Sequence, residues 1–118
     1  MSDLRHIYDL FAAAWSARDV GACLALMTDD VHYGASIGPE PGETFTGQDA
    51  VRAGIIAMLA HDNARASEVV SFNAIGTMAF VEWRYDLGGG RCELGIDRID
   101  FRGGKIACKP AYRKVRAG

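Results

Sequence analysis

Residues 77–101 read TMAFVEWRYDLGGGRCELGIDRIDF, in which apolar and polar side chains alternate. Alternation with the period of a pleated strand predicts two half-buried β-strands, TMAFVEWRYD and RCELGIDRIDF. The Gly88–Gly90 run between them supplies the positive φ angles that a tight hairpin turn requires. The apolar row of the first strand consists of Ala79, Val81, Trp83 and Tyr85.

Two further strands flank this hairpin. SEVVSFNAIG (67–76) precedes it and KIACKPAYRKV (105–115) follows it, with Gly76 and Gly103–Gly104 at the turns. Because the connections are short, we expect four consecutive antiparallel strands.

The N-terminal half has helical spacing instead. Helix one is expected to be capped by Ser2, with Asp3 in its first turn. Helix two is expected to begin at Asp19 and to end at Asp29–Asp30. The apolar face of helix one consists of Leu4, Ile7, Tyr8, Phe11, Ala14 and Trp15. That of helix two consists of Val20, Cys23, Leu24 and Met27.

A third helix is predicted from Thr46–Gly47 to His61–Asn63, with Asn63 as a left-handed cap. Before it, VHYGAS (31–36) predicts a short strand, IGPEPGE (37–43) a loop and ETFTG (43–47) an edge strand. Helices followed by a meandering sheet predict an α+β fold in one domain over residues 1–118, with the helices packed on one face of the sheet. The apolar face of the third helix is Val51, Ile55, Met58 and Leu59.

Composition excludes several classes of function. The 118 residues carry a net charge of −2, too little positive charge to favour nucleic-acid binding. No apolar run is long enough for a membrane span, and MSDLRHIYDL lacks the apolar core of a signal peptide. Three scattered cysteines without a C-x-x-C pair favour a cytoplasmic location. No spacing typical of a metal site, phosphate loop or nucleophile elbow is present, so we expect no cofactor.

Asp97 interrupts the apolar row of its strand, where it lies between Gly95 and Ile99 and is expected opposite Val81 or Trp83. A buried carboxylate must be paired, hydrated or protonated, since an unpaired buried charge is costly. Desolvation would raise its pKa, which suits general acid or base catalysis near neutral pH. The alternative is a structural carboxylate satisfied by a buried arginine or by backbone amides.

Charged side chains form the opposite rows of the same two strands. We expect these rows to face each other across the hairpin and to form an ion ladder on a solvated or subunit-facing surface. The rows are Glu82, Arg84 and Asp86, and Arg98, Asp100 and Arg102.

The motifs F-x-G-x-x-A-V-R (45–52), G-I-D (95–97) and G-G-K-I (103–106) resemble those of the nuclear transport factor 2-like superfamily. Within it, the chain is most similar to steroid Δ-isomerases and SnoaL-like polyketide cyclases. The resemblance covers nearly the whole chain and implies a cone, in which a curved sheet wraps around helices and an apolar pocket. It also implies a homodimer formed through the outer sheet face.

The resemblance implies that Asp97 is an acid/base or an oxyanion hydrogen-bond donor. The isomerase base would fall at Ala35 and the isomerase tyrosine at Phe11, so a steroid isomerase with the usual mechanism is not expected. Tyr33, Tyr8 or Tyr85 could donate a hydrogen bond instead, although each is also compatible with a core position. Residues expected to line the pocket, or else to be plain core, are Phe11, Trp15, Ala35, Ile55, Met58, Leu59, Val81, Trp83 and Ile99.

The three histidines are expected outside the site. His32 alternates away from Tyr33 onto the outer face, His61 favours the C-terminal end of a helix, and His6 is exposed.

Two hypotheses follow. In the first, the protein is a cofactor-free enzyme of the isomerase or cyclase type that transfers protons on a hydrophobic carbonyl compound, such as a polycyclic or terpenoid-like metabolite. Asp97 is then the acid/base, assisted by Tyr33 or Tyr8. In the second, it is a non-catalytic domain that binds small molecules or dimerises.

Overall fold

A curved, mainly antiparallel sheet of six strands packs against three α-helices in the computed structural model, which describes residues 3–36, 43–62 and 67–114. The strand order is β2-β1-β6-β5-β4-β3. This confirms the predicted α+β fold. The elements in chain order are α1 (Leu4–Ser16), α2 (Val20–Ala25), β1 (Met27–Gly34), β2 (Thr44–Thr46), α3 (Gln48–Asp62), β3 (Ser67–Ile75), β4 (Met78–Gly88), β5 (Arg91–Arg102) and β6 (Lys105–Arg113).

Helix α1 begins one residue later than a Ser2 cap would place it. Asp3 is the N-cap, and its side chain accepts a hydrogen bond from the backbone N–H of His6 at 3.2 Å. Ser2 lies outside the described residues, as do Asn63 and most of the loop predicted at 37–43. Helix α3 runs from Gln48 to Asp62, close to its predicted bounds.

The second helix is shorter than predicted, because its expected last turn is the start of β1. Met27 is buried in a strand and pairs with Ile106 of β6. The side-chain amide of Gln48 donates hydrogen bonds to the carbonyls of Leu24, Met27 and Thr28, at 3.1, 3.3 and 3.1 Å. This amide thus bonds one carbonyl in the last turn of α2 and two at the start of β1, and so ties the helix end to the strand.

Strands β3 to β6 form the predicted antiparallel meander. Each of its turns contains glycine at positive φ, for example Gly76 at 61° and Gly89 at 62°. The short strand β2 lies at the edge of the sheet, as predicted.

Strand β1 departs from a simple meander. It pairs antiparallel with β2 and parallel with β6, where Tyr33 lies opposite Lys109. This parallel pairing joins the N-terminal half of the chain to its last strand, and local sequence patterns contain no signal for such a distant contact.

The predicted ion ladder between β4 and β5 is replaced by other pairs. Arg84 pairs with Glu68 on β3, and Arg102 pairs with Asp30 on β1. In the register, Glu82 lies opposite Ile96 rather than opposite a charge. The hydrogen bond from Arg102, followed by one from Thr28, lowers the pKa of Asp30.

The core lies between the helices and the inner face of the sheet. The apolar row predicted for β4 is buried throughout, and Val31, Val81 and Ile99 have no exposed surface. Within the described ranges, no helix has the length and apolarity needed to cross a membrane.

Candidate functional site

A cavity of about 60 Å³ lies between α1, α3 and the inner face of the sheet. Aromatic rings form much of its wall, and charged groups enter it from β5 and β6. Its lining residues are Tyr8, Phe11, Ala12, Trp15, Tyr33, Ser36, Met58, Trp83, Tyr85, Asp97, Lys109, Ala111 and Arg113.

Asp97 is directed inward, as predicted, and is only 4% exposed. It lies opposite Val81 on β4 and Ala111 on β6. One carboxylate oxygen, Oδ1, accepts a hydrogen bond from the indole Nε1 of Trp83 at 3.0 Å. The other, Oδ2, lies 3.1 Å from Nζ of Lys109. The carboxylate is therefore paired, and its partner is a lysine rather than the buried arginine considered from the sequence.

Besides Arg113, Lys109 is the charged residue of the site that sequence patterns missed. It is 5% exposed, and its ammonium lies over three aromatic rings. The distances to the ring centroids are 5.3 Å for Phe11, 5.5 Å for Trp15 and 5.2 Å for Tyr33. Such contacts attract a cation through the electron-rich ring faces, most strongly where water is excluded.

An irregularity in pairing places Lys109 on the inner face. Ile106 is buried, so strict alternation along β6 would direct Lys109 outward. The register between β5 and β6 shifts between Asp100 and Phe101, whose partners are Cys108 and Ile106. One extra residue in a strand reverses the parity of every side chain after it. The sequence did indicate that a buried Asp97 requires a positively charged partner. It did not indicate that Lys109 is that partner.

Arg113 forms a second cationic wall at the far end of β6. Its guanidinium donates hydrogen bonds to Glu93 at 2.8 Å and to Ser36 at 3.1 Å. The group also stacks over Trp83 and Tyr85, with its Cζ at 5.2 and 5.5 Å from their centroids. The contact with Arg113 helps to hold Trp83, the hydrogen-bond donor to Asp97, in place.

Tyr8 contributes its phenol to the cavity from α1. Burial raises the pKa of this phenol well above its usual value, and the nearby charge of Asp97 raises it further. The group therefore stays a neutral hydrogen-bond donor. Within residues 3–36, 43–62 and 67–114, its hydroxyl has no hydrogen-bond partner, while its ring contacts those of Phe11 and Phe72.

Tyr33 and Tyr85 are also buried at the cavity wall. Tyr33 is 2% exposed and packs its ring against Trp15 and Phe45. The hydroxyl of Tyr85 accepts a hydrogen bond from Nε1 of Trp15 at 3.3 Å. Tyr85 therefore takes part in the hydrogen bonding of the wall.

The residues expected at the pocket fall into two groups. Those on the cavity wall are Phe11, Trp15, Met58 and Trp83. Those placed in the surrounding core are Ala35, Ile55, Leu59, Val81 and Ile99.

The histidines lie outside the cavity. His32 is exposed and shares a hydrogen bond with Thr46 on β2, while His61 lies exposed in the last turn of α3. His6 is exposed near the start of α1. Among the residues with described positions, no cluster of His, Cys, Asp or Glu has the arrangement of a metal site.

The architecture defines a class of protein with solved relatives. The fold matches an NTF2-like protein of unknown function from Mesorhizobium loti, with a TM-score of 0.77, 18% identity and coverage of 94% of this chain and 90% of that one. It matches a proposed ketosteroid isomerase from Kribbella flavida (TM-score 0.74, 17% identity, 97% and 79% covered). It also matches a proposed polyketide cyclase from Sinorhizobium meliloti, with a TM-score of 0.73, 17% identity and coverage of 90% of this chain and 93% of that one. At these identities the likeness establishes the fold alone.

Residues 8–108 match the model of the SnoaL-like domain. The chain belongs to the SnoaL-like domain family, within the NTF2-like fold. No curated protein matches the sequence.

Proposed function

We infer that the protein is a cofactor-free enzyme that transfers protons on a small hydrophobic carbonyl compound bound in the cavity. The observation that carries this proposal is a buried carboxylate, Asp97, at the wall of an aromatic cavity that also contains a buried ammonium and a neutral phenol. Acid and base groups brought together in an apolar cavity are typical of an active site.

The roles follow from the chemistry of the three groups. Asp97 removes a proton from the carbon next to the carbonyl and returns it at another position. The hydroxyl of Tyr8 donates a hydrogen bond to the oxygen that becomes negative, and the charge of Lys109 stabilises that oxygen further. Tyr33 assists by holding Lys109 from the ring side.

The size of the cavity favours a small substrate. A cavity of about 150 Å³ in another protein binds benzene, whereas this one measures about 60 Å³. A short carbonyl compound therefore fits better than the polycyclic compound considered from the sequence. A larger ligand would require the rings of the wall to move.

The solved relatives agree with this chemistry only in general terms. One is a proposed isomerase and another a proposed cyclase. The residues at the isomerase base and tyrosine positions implied by the resemblance are Ala35 and Phe11, which carry no acid or base. We therefore assign the proton transfer to Asp97 with Tyr8.

Hydrogen–deuterium exchange at the α-carbon of acetone or butanone, followed by NMR in D₂O, tests this proposal. The wild-type protein is expected to accelerate the exchange, and Asp97→Asn to lose at least about 100-fold of that acceleration. Tyr8→Phe is expected to lose about 10-fold or more. Asp100→Asn, on the same strand and paired with Arg98, is the matched control. Equal acceleration by wild type and Asp97→Asn would remove Asp97 from the mechanism.

One observation favours a non-catalytic ligand-binding domain as the second candidate. The carboxylate of Asp97 is compensated by Lys109 and Trp83, so the cluster could be purely structural. A thermal-shift series with the same ketones distinguishes the two functions. Stabilisation of the fold without any α-exchange would favour binding alone.

A homodimer through the outer sheet face is part of the proposal. The exposed apolar side chains Phe80, Ile96 and Tyr112 on that face support it, at 40%, 44% and 61% exposure. Sedimentation at micromolar concentration is expected to show a dimer that Ile96→Glu dissociates. A wild-type protein that sediments as a monomer would contradict the proposed dimer. The cytoplasmic location stays a prediction from the cysteines.

A further inference from the structure

We propose that Lys109 is an amine nucleophile, which condenses with a short aldehyde or methyl ketone in the cavity to form an iminium ion. The inference rests on the proposed function for the cavity and the carbonyl class of its ligand. It goes further in assigning a covalent intermediate to a residue that the proton-transfer scheme uses only as a charge.

The position of Lys109 meets the first requirement, a desolvated amine that can reach a ligand. Its side chain is 6% exposed, and the residue belongs to the cavity wall. Lysines in apolar surroundings are the ones that act as amine nucleophiles on carbonyl substrates. The rings of Phe11, Trp15 and Tyr33 hold the ammonium at this wall before it loses its proton.

The second requirement is a proton acceptor beside the amine. Oδ2 of Asp97 lies 3.1 Å from Nζ, within hydrogen-bond distance. The carboxylate can accept one ammonium proton and leave the free amine with its lone pair. The Trp83 indole, bound to Oδ1 at 3.0 Å, keeps the carboxylate in this orientation.

The reaction balances without any outside reagent. The amine attacks the carbonyl carbon, a C–N bond forms, and the π electrons move to oxygen, which takes up the proton lost by nitrogen. The resulting hydroxyl accepts the proton held by Asp97 and leaves as water, while the nitrogen lone pair forms the C=N bond. One ammonium and one carbonyl thus give one iminium and one water.

Charge conservation explains why this buried pair suits the step. The positive charge at Nζ is present before and after condensation, so the carboxylate of Asp97 remains compensated in the product. Leaving a buried charge without its partner would be strongly unfavourable. The iminium also acidifies the neighbouring C–H bonds, and the same carboxylate is placed to accept a proton from them.

The lysine content makes the test direct, because the chain has lysines only at 105, 109 and 114. Lys105 and Lys114 are exposed and serve as internal controls. Folded wild-type protein is incubated with propanal and cyanoborohydride, which reduces an iminium to a stable amine. Peptide mass mapping over time then gives the rate of propylation at each lysine. We expect Lys109 to be modified at least about 10-fold faster than the two exposed lysines.

Two further experiments test whether the reaction takes place at Lys109 inside the cavity. The Lys105→Arg/Lys114→Arg variant keeps Lys109 as its single lysine and is expected to gain the propyl group at the wild-type rate. Naphthaldehyde, too large for the cavity, is expected to modify the exposed lysines of the wild type and to spare Lys109. Slower propylation of Lys109 than of Lys105 and Lys114 in folded protein would overturn the proposal.

The experiments distinguish failure of the iminium proposal from failure of the proposed proton-transfer function. Acceleration of α-exchange by the wild type without a Lys109 adduct overturns the iminium and leaves non-covalent proton transfer. A rapid Lys109 adduct without accelerated α-exchange supports the nucleophile and overturns the proton-transfer function.

Discussion

Nζ of Lys109 lies 3.1 Å from Oδ2 of Asp97, and the two side chains are 6% and 5% exposed. The residues stand on adjacent strands, β6 and β5, and share the inner face of the sheet. Since each charge is compensated chiefly by the other, their energetic contributions are coupled.

Removal of one member of this pair is expected to destabilise the fold strongly. Lys109→Met leaves the carboxylate of Asp97 buried without its cation, at a cost of about 3–5 kcal/mol in the free energy of unfolding. Asp97→Leu likewise leaves the ammonium of Lys109 buried without its carboxylate. The double variant is expected to lose clearly less than the sum of the two, as measured by urea denaturation. Additive losses would show that the two groups do not depend on each other.

Gly95 is expected to be intolerant of a side chain. A Cβ atom there would overlap the six-membered ring of Trp83, the group that donates to Asp97. Gly95→Ala should therefore displace the indole, lower the free energy of unfolding by about 1–3 kcal/mol and shift the tryptophan fluorescence.

Gly21→Ala is the matched control for that change. Its Cβ would meet only Oδ1 of Asp19, at an ordinary 3.7 Å. Alanine replaces glycine inside α2, so a gain of about 0.5–1 kcal/mol is expected. Equal stability of Gly95→Ala and the wild type would contradict the tight packing of Trp83.

Tyr8 is expected to make the fold sensitive to alkaline pH. Burial raises its pKa in the folded protein above the ordinary value of 10.0. Above that value the unfolded chain loses the phenol proton while the folded chain retains it, so stability falls as the pH rises. Below that value the phenol is protonated in both the folded and the unfolded chain, so Tyr8 does not make the stability depend on pH. The expected slope is at most about 1.4 kcal/mol per pH unit.

Urea denaturation at a series of alkaline pH values measures this slope. Tyr8→Phe should flatten this slope by about one proton. Tyr112→Phe, which removes the hydroxyl of a side chain that is 61% exposed, is the control variant. An unchanged slope in Tyr8→Phe would mean that the phenol titrates equally well in the folded and unfolded chains.

Cys23 is expected to resist thiol reagents in the folded protein. It has no exposed surface, and burial raises the pKa of its thiol to about 11. The reactive thiolate is therefore scarce and inaccessible. Cys92 is exposed and should react at once with Ellman's reagent. Cys23 should react at least about 1,000-fold more slowly, through unfolding.

Cys92→Ser is the control for the thiol measurement and should lose the fast phase. Cys108 is half-buried and is expected to react at an intermediate rate. A fast phase that Cys23→Ser removes would contradict the burial of Cys23.

The sequence predicted the sheet better than the helix ends. The alternation around Trp83 and Asp97 gave the strands, their inner faces and the inward aspartate, because the period of a strand is a local property. The end of α2 was predicted too late, because Met27 continues an apolar helical spacing. Pairing with Ile106 and the amide of Gln48 place it in β1 instead.

The sequence by itself determined the α+β class, the meander and the presence of one carboxylate on an apolar face. Only the tertiary structure decided how that carboxylate is satisfied. The shift of register between β5 and β6 turns Lys109 inward, and the parallel pairing of β1 brings Tyr33 to it. Side-chain periodicity follows from the backbone geometry of a single strand, whereas register and distant pairing depend on contacts between strands far apart in the chain.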